Sequence, residues 1–442
     1  MQLAARRDVF AVPHGAGFIV YAPLAGRIVH ANSSCVAQLR RYLETGDAGV
    51  VDAGLVARLG GLGWLDEQPA PAPLPADRHY HPTMVTLFLT NRCNLRCTYC
   101  YAEAGERAPA VMPAEVARAA IDLVVRNARR AGRPPGIGFH GGGEPTVAWD
   151  ALVGAVDHAH TVAGTGPAKA NLGIATNGVM SPSQAEWVAT TFPMVTLSFD
   201  GPADVHDAQR PTAAGTGSFD AVMAFVETLR AHGTPFTVRA TITEANVARQ
   251  AELVDFFVDA TGCRQLHFEP VFASGRRGRA EGLPLAPDDF AAGFVAALDR
   301  AIARGVRLRY SAARLIGTFL SFCGCAQDAF NVTPDGDITG CFEVCGRDNP
   351  LAESFYFGRY DPGRAAFVID MERLARLREL NVTNKPLCDG CLAKYTCAGD
   401  CPVKAGGERL DFQSDGPRCR MNQTITRALL ERALDPATCR LV

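Results

Sequence analysis

The feature that most constrains this chain is a group of three cysteines, Cys93, Cys97 and Cys100, directly after an apolar stretch. A closed tetrahedral zinc site and a closed four-iron cluster both take four protein ligands. Three thiolates on one short loop therefore indicate a metal centre with one coordination position left open. On spacing alone, the alternative is a set of buried structural cysteines or half of a zinc site.

A glycine-rich segment follows the cysteine loop, after residues 137–140, which predict a strand. Its residues are Gly141, Gly142, Gly143, Glu144 and Pro145. Glycines at a strand end let backbone groups approach a ligand closely, and a carboxylate there can pair with an ammonium group. This segment, following a C-x3-C-x2-C loop, resembles the motifs of the radical S-adenosylmethionine (radical SAM) superfamily.

The resemblance implies cofactors and roles for both motifs. The three cysteines would hold a 4Fe-4S cluster whose fourth iron is chelated by the amino acid end of SAM. The GGEP motif would bind the SAM amino group, and its residues here are Gly142, Gly143, Glu144 and Pro145.

Later strand ends fall in the order that the same family would place them. Residues 174–178 and 195–202 each predict a strand followed by a turn. By resemblance, Tyr99 lies near the adenine, Ser198 binds the ribose hydroxyls and Arg210 binds the SAM carboxylate. Taken alone, each is an ordinary turn or surface ion-pair residue. Arg239 and Thr241 alternate on another predicted strand and are candidates for facing the cofactor.

Predicted strands alternate with helical patterns from about residue 84 to about residue 305, which indicates a parallel sheet of the α/β class. We count roughly six such units, too few for a closed eight-unit barrel. A partial (β/α)6 barrel, with its site at the carboxyl ends of the strands, is therefore predicted. The resemblance implies the same barrel.

A second set of cysteines lies toward the C-terminal end: Cys323, Cys325, Cys341, Cys388, Cys391, Cys397, Cys401 and Cys419. The Pro-Asp-Gly-Asp sequence at 334–337 predicts a hairpin turn that can present the thiolates on both flanks to one ion. On spacing alone, this set forms two zinc sites or two clusters. The pattern closely resembles the SPASM extension of radical SAM enzymes, which carries two auxiliary 4Fe-4S clusters.

The resemblance also implies how these cysteines are shared. One auxiliary cluster would take Cys388, Cys391, Cys397 and Cys419, and the other would take Cys341 and Cys401 with Cys323, Cys325 or both. We expect both Cys323 and Cys325 to ligate. Otherwise one of them is a spare thiol, and Cys345 or a substrate atom takes the fourth place. The cysteines that match no motif are expected to act as small hydrophobic residues; they are Cys35, Cys263 and Cys439.

The first 66 residues predict a separate module of three short strands followed by helices at 33–43 and 53–59. It resembles the winged-helix-like peptide-recognition modules of ribosomal peptide maturases, which add a leader peptide as a strand to an exposed sheet edge. A structural cap on the barrel is the alternative. The predicted domains are the module at 1–66, a Pro-rich linker at 67–80, the radical SAM barrel at 81–310 and the SPASM domain at 311–442.

Composition limits the compartment and the partners. Fifteen cysteines would indicate disulfides in a secreted protein, but the N-terminus lacks the apolar core of a signal peptide and no stretch has the length of a membrane span. We therefore expect a protein of the reducing cytoplasm. A net charge of −2 gives no electrostatic reason to expect a nucleic acid partner.

The sequence thus predicts a radical SAM/SPASM enzyme that takes hydrogen from a ribosomally made peptide and leaves a thioether cross-link, a carbon–carbon cross-link or an oxidation. Its expected partners are a precursor peptide with a leader and a flavodoxin- or ferredoxin-type electron donor. An anaerobic sulfatase maturase that forms formylglycine, and a non-catalytic iron-sulfur scaffold or redox regulator, are the alternatives. No catalytic acid or base can be assigned: Glu269 is a candidate proton acceptor near a predicted strand end, but a buried ion pair or a helix cap is the favoured role.

Overall fold

The computed structural model describes residues 2–4, 7–47, 49, 51–55, 57, 80–164, 169–278, 285–315, 317–406, 412–413, 415–416, 418–435, 438 and 441. The predicted Pro-rich linker at 67–80 lies outside these residues, apart from Tyr80. Cys439 also lies outside them, as do residues 56, 58 and 59 of the helix predicted at 53–59. The described residues of that helix, 53–55 and 57, are helical.

The strands within this part of the chain are β1 (Gln2–Ala4), β2 (Arg7–His14), β3 (Gly17–Ala22), β4 (Arg27–Ala31), β5 (Met84–Leu87), β6 (Gly136–Phe139), β7 (Asn171–Thr176), β8 (Val195–Ser198), β9 (Phe236–Ile242), β10 (Gln265–Pro270), β11 (Arg307–Arg309), β12 (Ala329–Val332), β13 (Asp337–Thr339), β14 (Tyr356–Asp361) and β15 (Ala366–Ile369).

The α-helices are α1 (Ser33–Thr45), α2 (Ala114–Arg130), α3 (Trp149–Ala163), α4 (Pro182–Thr191), α5 (Ala203–Gln209), α6 (Phe219–Ala231), α7 (Gln250–Phe256), α8 (Gly275–Gly278), α9 (Pro287–Ala303), α10 (Ala352–Phe355), α11 (Met371–Arg378), α12 (Pro402–Gly406) and α13 (Cys419–Ala433).

The chain forms two compact units that each combine distant parts of the sequence. One unit, called here the barrel unit, contains residues 75–286 and 323–379. The other, the terminal unit, contains residues 1–74, 287–322 and 380–442. The cysteine-rich part of the sequence is therefore divided between the two units. The four-domain division stays a prediction.

The barrel unit is built on the predicted row of six parallel strands. Their spatial order is β10-β9-β8-β7-β6-β5, with each neighbouring pair parallel. Beyond β5 the sheet continues through the parallel partner β12 and then the antiparallel strands β13, β14 and β15. The hairpin of β12 and β13 confirms the turn predicted at 334–337. The α/β fold with a parallel sheet is confirmed.

Amphipathic helices cover the parallel strands. In α2 five apolar residues that recur near helical spacing are buried; they are Val116, Ala120, Ile121, Val124 and Val125. Glu115 lies in the first turn and Arg130 in the last, so both charges interact favourably with the helix dipole and stabilise the helix. Because all six strands run the same way, the loops that follow them meet at one edge of the sheet.

The N-terminal part of the terminal unit is an antiparallel sheet in the order β1-β2-β3-β4, followed by α1. Asn32 caps α1 by accepting the N–H of Cys35 at 2.8 Å. One face of the sheet packs on α1, and the other packs on Leu430 of α13. The three strands and the first helix expected here are present, with β4 at an edge of the sheet.

Candidate metal centres and cofactor site

The cysteine loop leaves the carboxyl end of β5 and brings three thiols together. Cys93, Cys97 and Cys100 are all partly buried. Burial raises the pKa of Cys93 to about 12, and the nearby Cys97 and Cys100 thiols also raise it. Burial likewise raises the pKa of Cys97 to about 11, opposed by the Arg210 guanidinium. The three thiols are therefore close enough to influence one another.

Hydrogen-bond donors point at two of these sulfur atoms. The backbone N–H of Leu95 lies 3.4 Å from Cys93 Sγ, and the amide Nδ2 of Asn177 lies 3.7 Å from it. Nη1 of Arg210 lies 3.8 Å from Cys97 Sγ. Donors directed at sulfur stabilise the thiolate form that a cluster requires. The donor set thus fits an iron-sulfur cluster.

The glycine run packs directly on the cysteine loop. Gly141 and Gly142 have φ angles of 94° and 67°, in the left-handed region that favours glycine. A Cβ on Gly142 would lie 2.9 Å from the carbonyl oxygen of Thr90. The N–H of Glu144 donates to the carbonyl oxygen of Arg92 at 2.9 Å. The glycines therefore let the segment after β6 pack closely against the start of the cysteine loop.

Glu144 is buried and held by four hydrogen bonds. Its Oε1 accepts the N–H and the hydroxyl of Thr146, at 3.2 and 2.9 Å, and the hydroxyl of Thr176 at 2.7 Å. Its Oε2 accepts the N–H of Asn177 at 2.8 Å. Burial raises the pKa of Glu144, and these hydrogen bonds oppose the rise. Pro145 begins a short 3-10 helix, Pro145–Ala148, that continues the segment.

Asp200, which has no role assigned from the sequence, is the centre of a buried network after β8. Nε of Arg210 lies 2.9 Å from its Oδ2, and Nη2 of Arg210 lies 3.2 Å from its Oδ1. The Tyr99 hydroxyl and the Gln209 amide also donate to Oδ2, and the N–H of Thr241 donates to Oδ1 at 2.9 Å. Burial opposes ionisation, but the Arg210 guanidinium keeps the pKa of Asp200 below its usual range.

Three further polar residues lie near the end of β8, one at the edge of the site and two that hold the turn after the strand. Ser198 ends β8 and is partly exposed. His206 is buried; its Nδ1 accepts the N–H of Asp200 at 3.2 Å, and its Nε2 lies 3.1 Å from the hydroxyl of Ser218. Asp207 accepts the backbone N–H of Ser218 at 2.7 Å. The hydrogen bonds of His206 and Asp207 therefore stabilise the turn after β8.

Further groups surround Cys100 in the barrel unit. Arg276 of α8 donates its backbone N–H to the carbonyl oxygen of Cys100 at 3.0 Å, and its side chain contacts the carbonyl oxygen of Cys97. Burial raises the pKa of Tyr101, the Cys345 and Cys100 thiols raise it further, and Arg239 opposes them. The basic segment at 275–278 is thus fixed to the cysteine loop, and no signal in its sequence predicted that contact.

Cys345 lies with the cysteine loop. Burial raises its pKa to about 11, Arg107 lowers it and Cys100 raises it. Cys325, in contrast, has its pKa raised by a hydrogen bond with Cys323, by burial and by Cys341. Nδ2 of Asn331 donates to Cys325 Sγ at 3.5 Å.

The terminal unit brings four other cysteines to one cavity. Cys388, Cys391, Cys397 and Cys419 line it together with Lys394, Asp400, Asn422 and Gln423. Cys401 follows Asp400 and precedes α12. The four thiols thus line one space, and their sharing of a cluster stays a prediction. The role of Cys401 stays a prediction.

Two other findings concern metals and membranes. Within the described ranges, no group of three or more Cys, His, Asp or Glu side chains is arranged to hold a single metal ion. None of the helices in that part of the chain has the length and apolar character that crossing a bilayer requires.

Comparisons with known proteins complete the description of the site. Residues 87–256 match the model of the Radical SAM superfamily. Mycofactocin maturase MftC of Mycobacterium tuberculosis (strain ATCC 25618 / H37Rv) is 32% identical over 181 residues, which are 39% of this chain and 40% of the relative. The chain thus matches about 40% of the length of this curated relative.

Solved structures share the fold. The structure of native anSMEcpe with bound AdoMet has a TM-score of 0.62 at 18% identity, and the match covers 81% of this chain and 99% of that one. Streptococcus suis SuiB bound to its precursor peptide SuiA has a TM-score of 0.51 at 14% identity, with 93% and 97% covered.

The family match implies SAM and one 4Fe-4S cluster as cofactors, and the thiols and donors of the cysteine loop fit that cluster. The predicted enzyme class agrees with the match and with the maturase among the relatives. Residues 87–256, with the cysteine loop and the glycine-rich segment at one sheet edge, are a radical SAM domain.

Proposed function

We propose that this chain is a radical SAM maturase that acts on a ribosomally made peptide. The observation that carries the proposal is the cysteine loop with three converging thiols, held by the glycine-rich segment beside buried Glu144. When bound, the cluster and SAM supply a 5'-deoxyadenosyl radical that takes a hydrogen atom from an unactivated carbon of the peptide. The product is a cross-link or an oxidation.

The residues of the barrel unit take the following roles in this proposal. Glu144 Oε2 faces the SAM ammonium, and the backbone of Gly142, Gly143 and Pro145 shapes that side of the site. Ser198 binds the ribose, and Tyr99 lies on the adenine side. Arg210 supplies positive charge near the SAM carboxylate, while its bond to Asp200 fixes the guanidinium in place.

Two auxiliary 4Fe-4S clusters complete the proposal. The cavity lined by Cys388, Cys391, Cys397 and Cys419 supports one of them. The closeness of Cys323, Cys325 and Cys341 supports the other. A flavodoxin- or ferredoxin-type protein of the cytoplasm delivers the electrons.

The proposed partner is a precursor peptide with a leader. Strand β4 lies at the edge of the N-terminal sheet, and both faces of that sheet are packed, so the edge is where a peptide strand can add. SuiB, which was solved with its precursor peptide, shares a fold over 93% of this chain. We therefore place the leader at β4.

The test is anaerobic reconstitution followed by iron and sulfide quantitation and a SAM cleavage assay. We expect about 12 irons in the wild type and about 8 in Cys93→Ala/Cys97→Ala/Cys100→Ala, with 5'-deoxyadenosine formed only by the wild type. Cys35→Ala is the control, because Cys35 lies on α1 and belongs to no motif.

Three results would contradict parts of the proposal. Zinc at the C-terminal cysteines excludes the auxiliary clusters. Absence of SAM cleavage by a fully loaded protein excludes the enzyme and favours a scaffold or regulator. Formylglycine formation on a short sulfatase peptide that lacks a leader excludes the leader-dependent maturase.

A further inference from the structure

The cavity formed by Cys388, Cys391, Cys397 and Cys419 has a buried polar chain behind one of its thiols. Nδ2 of Asn422 donates to Cys397 Sγ at 3.3 Å. Asn422 lies one turn into α13, which begins at Cys419. The helix that supplies one cysteine therefore also supplies a hydrogen-bond donor to another.

The chain continues from Asn422 to a cation. The Tyr310 hydroxyl donates to Oδ1 of Asn422 at 2.8 Å. The same hydroxyl accepts from Arg418, whose Nη2 lies at 2.6 Å and whose Nε lies at 3.2 Å. Arg418, Tyr310 and Asn422 thus form a continuous hydrogen-bonded relay that ends on the sulfur of Cys397.

Every member of this relay is removed from water. Arg418 and Asn422 are each 1% exposed, and Tyr310 is 2% exposed. A buried guanidinium is costly unless it is paired and hydrogen-bonded. Asp400, also 1% exposed, lies 3.4 Å from Nη1 of Arg418 and has a left-handed φ of 70°. Apolar side chains would be enough to pack this part of the core. The buried Arg418 cation and the strained backbone of Asp400 therefore indicate a function.

We propose that the Arg418–Tyr310–Asn422 relay is a positioning device that raises the reduction potential of the auxiliary cluster at Cys397. This inference rests on the proposed function, because it requires the cluster that the four cysteines would hold. Reduction adds one electron, delivered by the one-electron donor, to a cluster that already carries negative charge. A hydrogen bond to sulfur stabilises the added charge, and it acts strongly in a buried, low-dielectric site. The charge of Arg418 is balanced by Asp400, so Arg418 acts through the hydrogen-bonded relay.

Each relay member has a distinct part. Asn422 lowers the electron density on Cys397 Sγ directly. Tyr310 orients the Asn422 amide, because its hydroxyl occupies Oδ1 and leaves Nδ2 to face the sulfur. Arg418 polarises the Tyr310 hydroxyl by donating to it, which makes the O–H a stronger donor to Asn422.

The experiment uses the full chain carrying Cys93→Ala/Cys97→Ala/Cys100→Ala, so that only the auxiliary clusters give signals. Potentiometric titration followed by electron paramagnetic resonance is applied to this protein and to the added variants Asn422→Leu and Tyr310→Phe. Thr426→Val is the matched control, since Thr426 is also buried on α13 but bonds the Thr396 hydroxyl at 3.2 Å.

We expect Asn422→Leu to lower the equilibrium constant for reduction of one cluster about tenfold, a downward shift of about 59 mV for one electron. Tyr310→Phe shifts the same cluster in the same direction by less. Thr426→Val leaves both potentials unchanged, and the second auxiliary cluster is an internal reference in every titration.

The inference is overturned if fully iron-loaded Asn422→Leu and Tyr310→Phe keep both potentials. If Asn422→Leu does not take up iron, the result for Tyr310→Phe alone tests the inference. That variant removes only a hydroxyl group and keeps the aromatic ring. A shift in Asn422→Leu without one in Tyr310→Phe also overturns the relay. Zinc in place of iron at the four cysteines refutes the proposed clusters, and metal analysis separates that result from a failure of the relay alone.

Discussion

Gly143 lies directly against Arg92: a Cβ built on Gly143 would be 2.0 Å from the carbonyl oxygen of Arg92. No real Cβ can occupy that position, so the segment after β6 and the start of the cysteine loop require glycine here. Gly143→Ala should therefore displace the loop and reduce the iron content by about four per chain. Iron and sulfide quantitation after reconstitution measures this change.

The control for Gly143→Ala is Gly154→Ala. Gly154 lies inside α3, and a Cβ there would meet nothing within 4 Å. Alanine in a helix interior is favoured over glycine by about 1 kcal/mol, so the control should fold and load normally. Equal iron contents in the two variants would show that the close approach of Gly143 to Arg92 is not required for the cysteine loop to bind its cluster.

Breaking the buried pair of Asp200 and Arg210 should strongly destabilise the barrel unit. Asp200→Asn leaves the Arg210 guanidinium, 7% exposed, without its carboxylate. Removing one partner of a buried pair typically costs about 3–5 kcal/mol. Chemical denaturation of the reconstituted protein measures the free energy of unfolding.

Asp204→Asn is the matched control for that change. Asp204 pairs with Arg249 at 2.6 Å, but its side chain is 65% exposed, and exposed pairs contribute little. An equal loss of stability in Asp204→Asn and Asp200→Asn would mean that burial does not govern the strength of these pairs.

The environment of Cys345 predicts that it is not a cluster ligand. Its thiol lies near Cys100 and Arg107, whereas the thiol of Cys341 lies near Cys325 and raises its pKa. Cys345→Ala should keep about 12 irons, and Cys341→Ala should lose iron from one auxiliary cluster. Loss of iron in Cys345→Ala would instead assign it the fourth place in that cluster.

Acid should destabilise the fold through His206. Burial lowers the pKa of His206 to about 4; Asp200 and Asp207 oppose the shift, and Arg210 adds to it. The unfolded chain protonates this imidazole near pH 6.5, so it binds more protons than the native state between pH 6.5 and 4. The free energy of unfolding therefore decreases as the pH falls through this window, by up to about 3 kcal/mol from His206. Above pH 6.5 this group does not change the stability.

The measurement is the urea midpoint against pH for the wild type and His206→Gln. The variant is expected to be less stable at neutral pH, because it loses the contacts with Asp200 and Ser218, but to have a shallower slope between pH 6.5 and 4. Parallel slopes for the two proteins would rule out His206 as a source of the acid sensitivity.

The parts that sequence predicted well depend on local patterns. The six parallel strands follow from apolar runs separated by helical periodicity, and the cysteine loop follows from its own spacing. Strands β2, β3 and β4 and helix α1 follow from local patterns for the same reason, whereas β1 is not among the strands that the sequence predicts. Each of these features is encoded within about twenty consecutive residues.

The parts that sequence did not predict depend on contacts between distant residues. The sequence predicts that the glycines approach a ligand, but it does not show that two of them also approach the backbone of Thr90 and Arg92. Asp200 has no local signal beyond a strand end. The relay joins Tyr310 to side chains 108 and 112 residues away. No spacing rule links such positions, because the fold alone brings them together.

The parallel pairing of β5 with β12 ties the radical SAM barrel to the cysteine-rich extension. Val85 and Leu87 of β5 lie beside Phe330 and Val332 of β12. A chain shortened to the barrel sequence would leave the backbone of β5 unpaired along an apolar edge, and such edges recruit other chains. Aggregation would therefore oppose any evolutionary or laboratory separation of the two parts, whatever the extension contributes to chemistry.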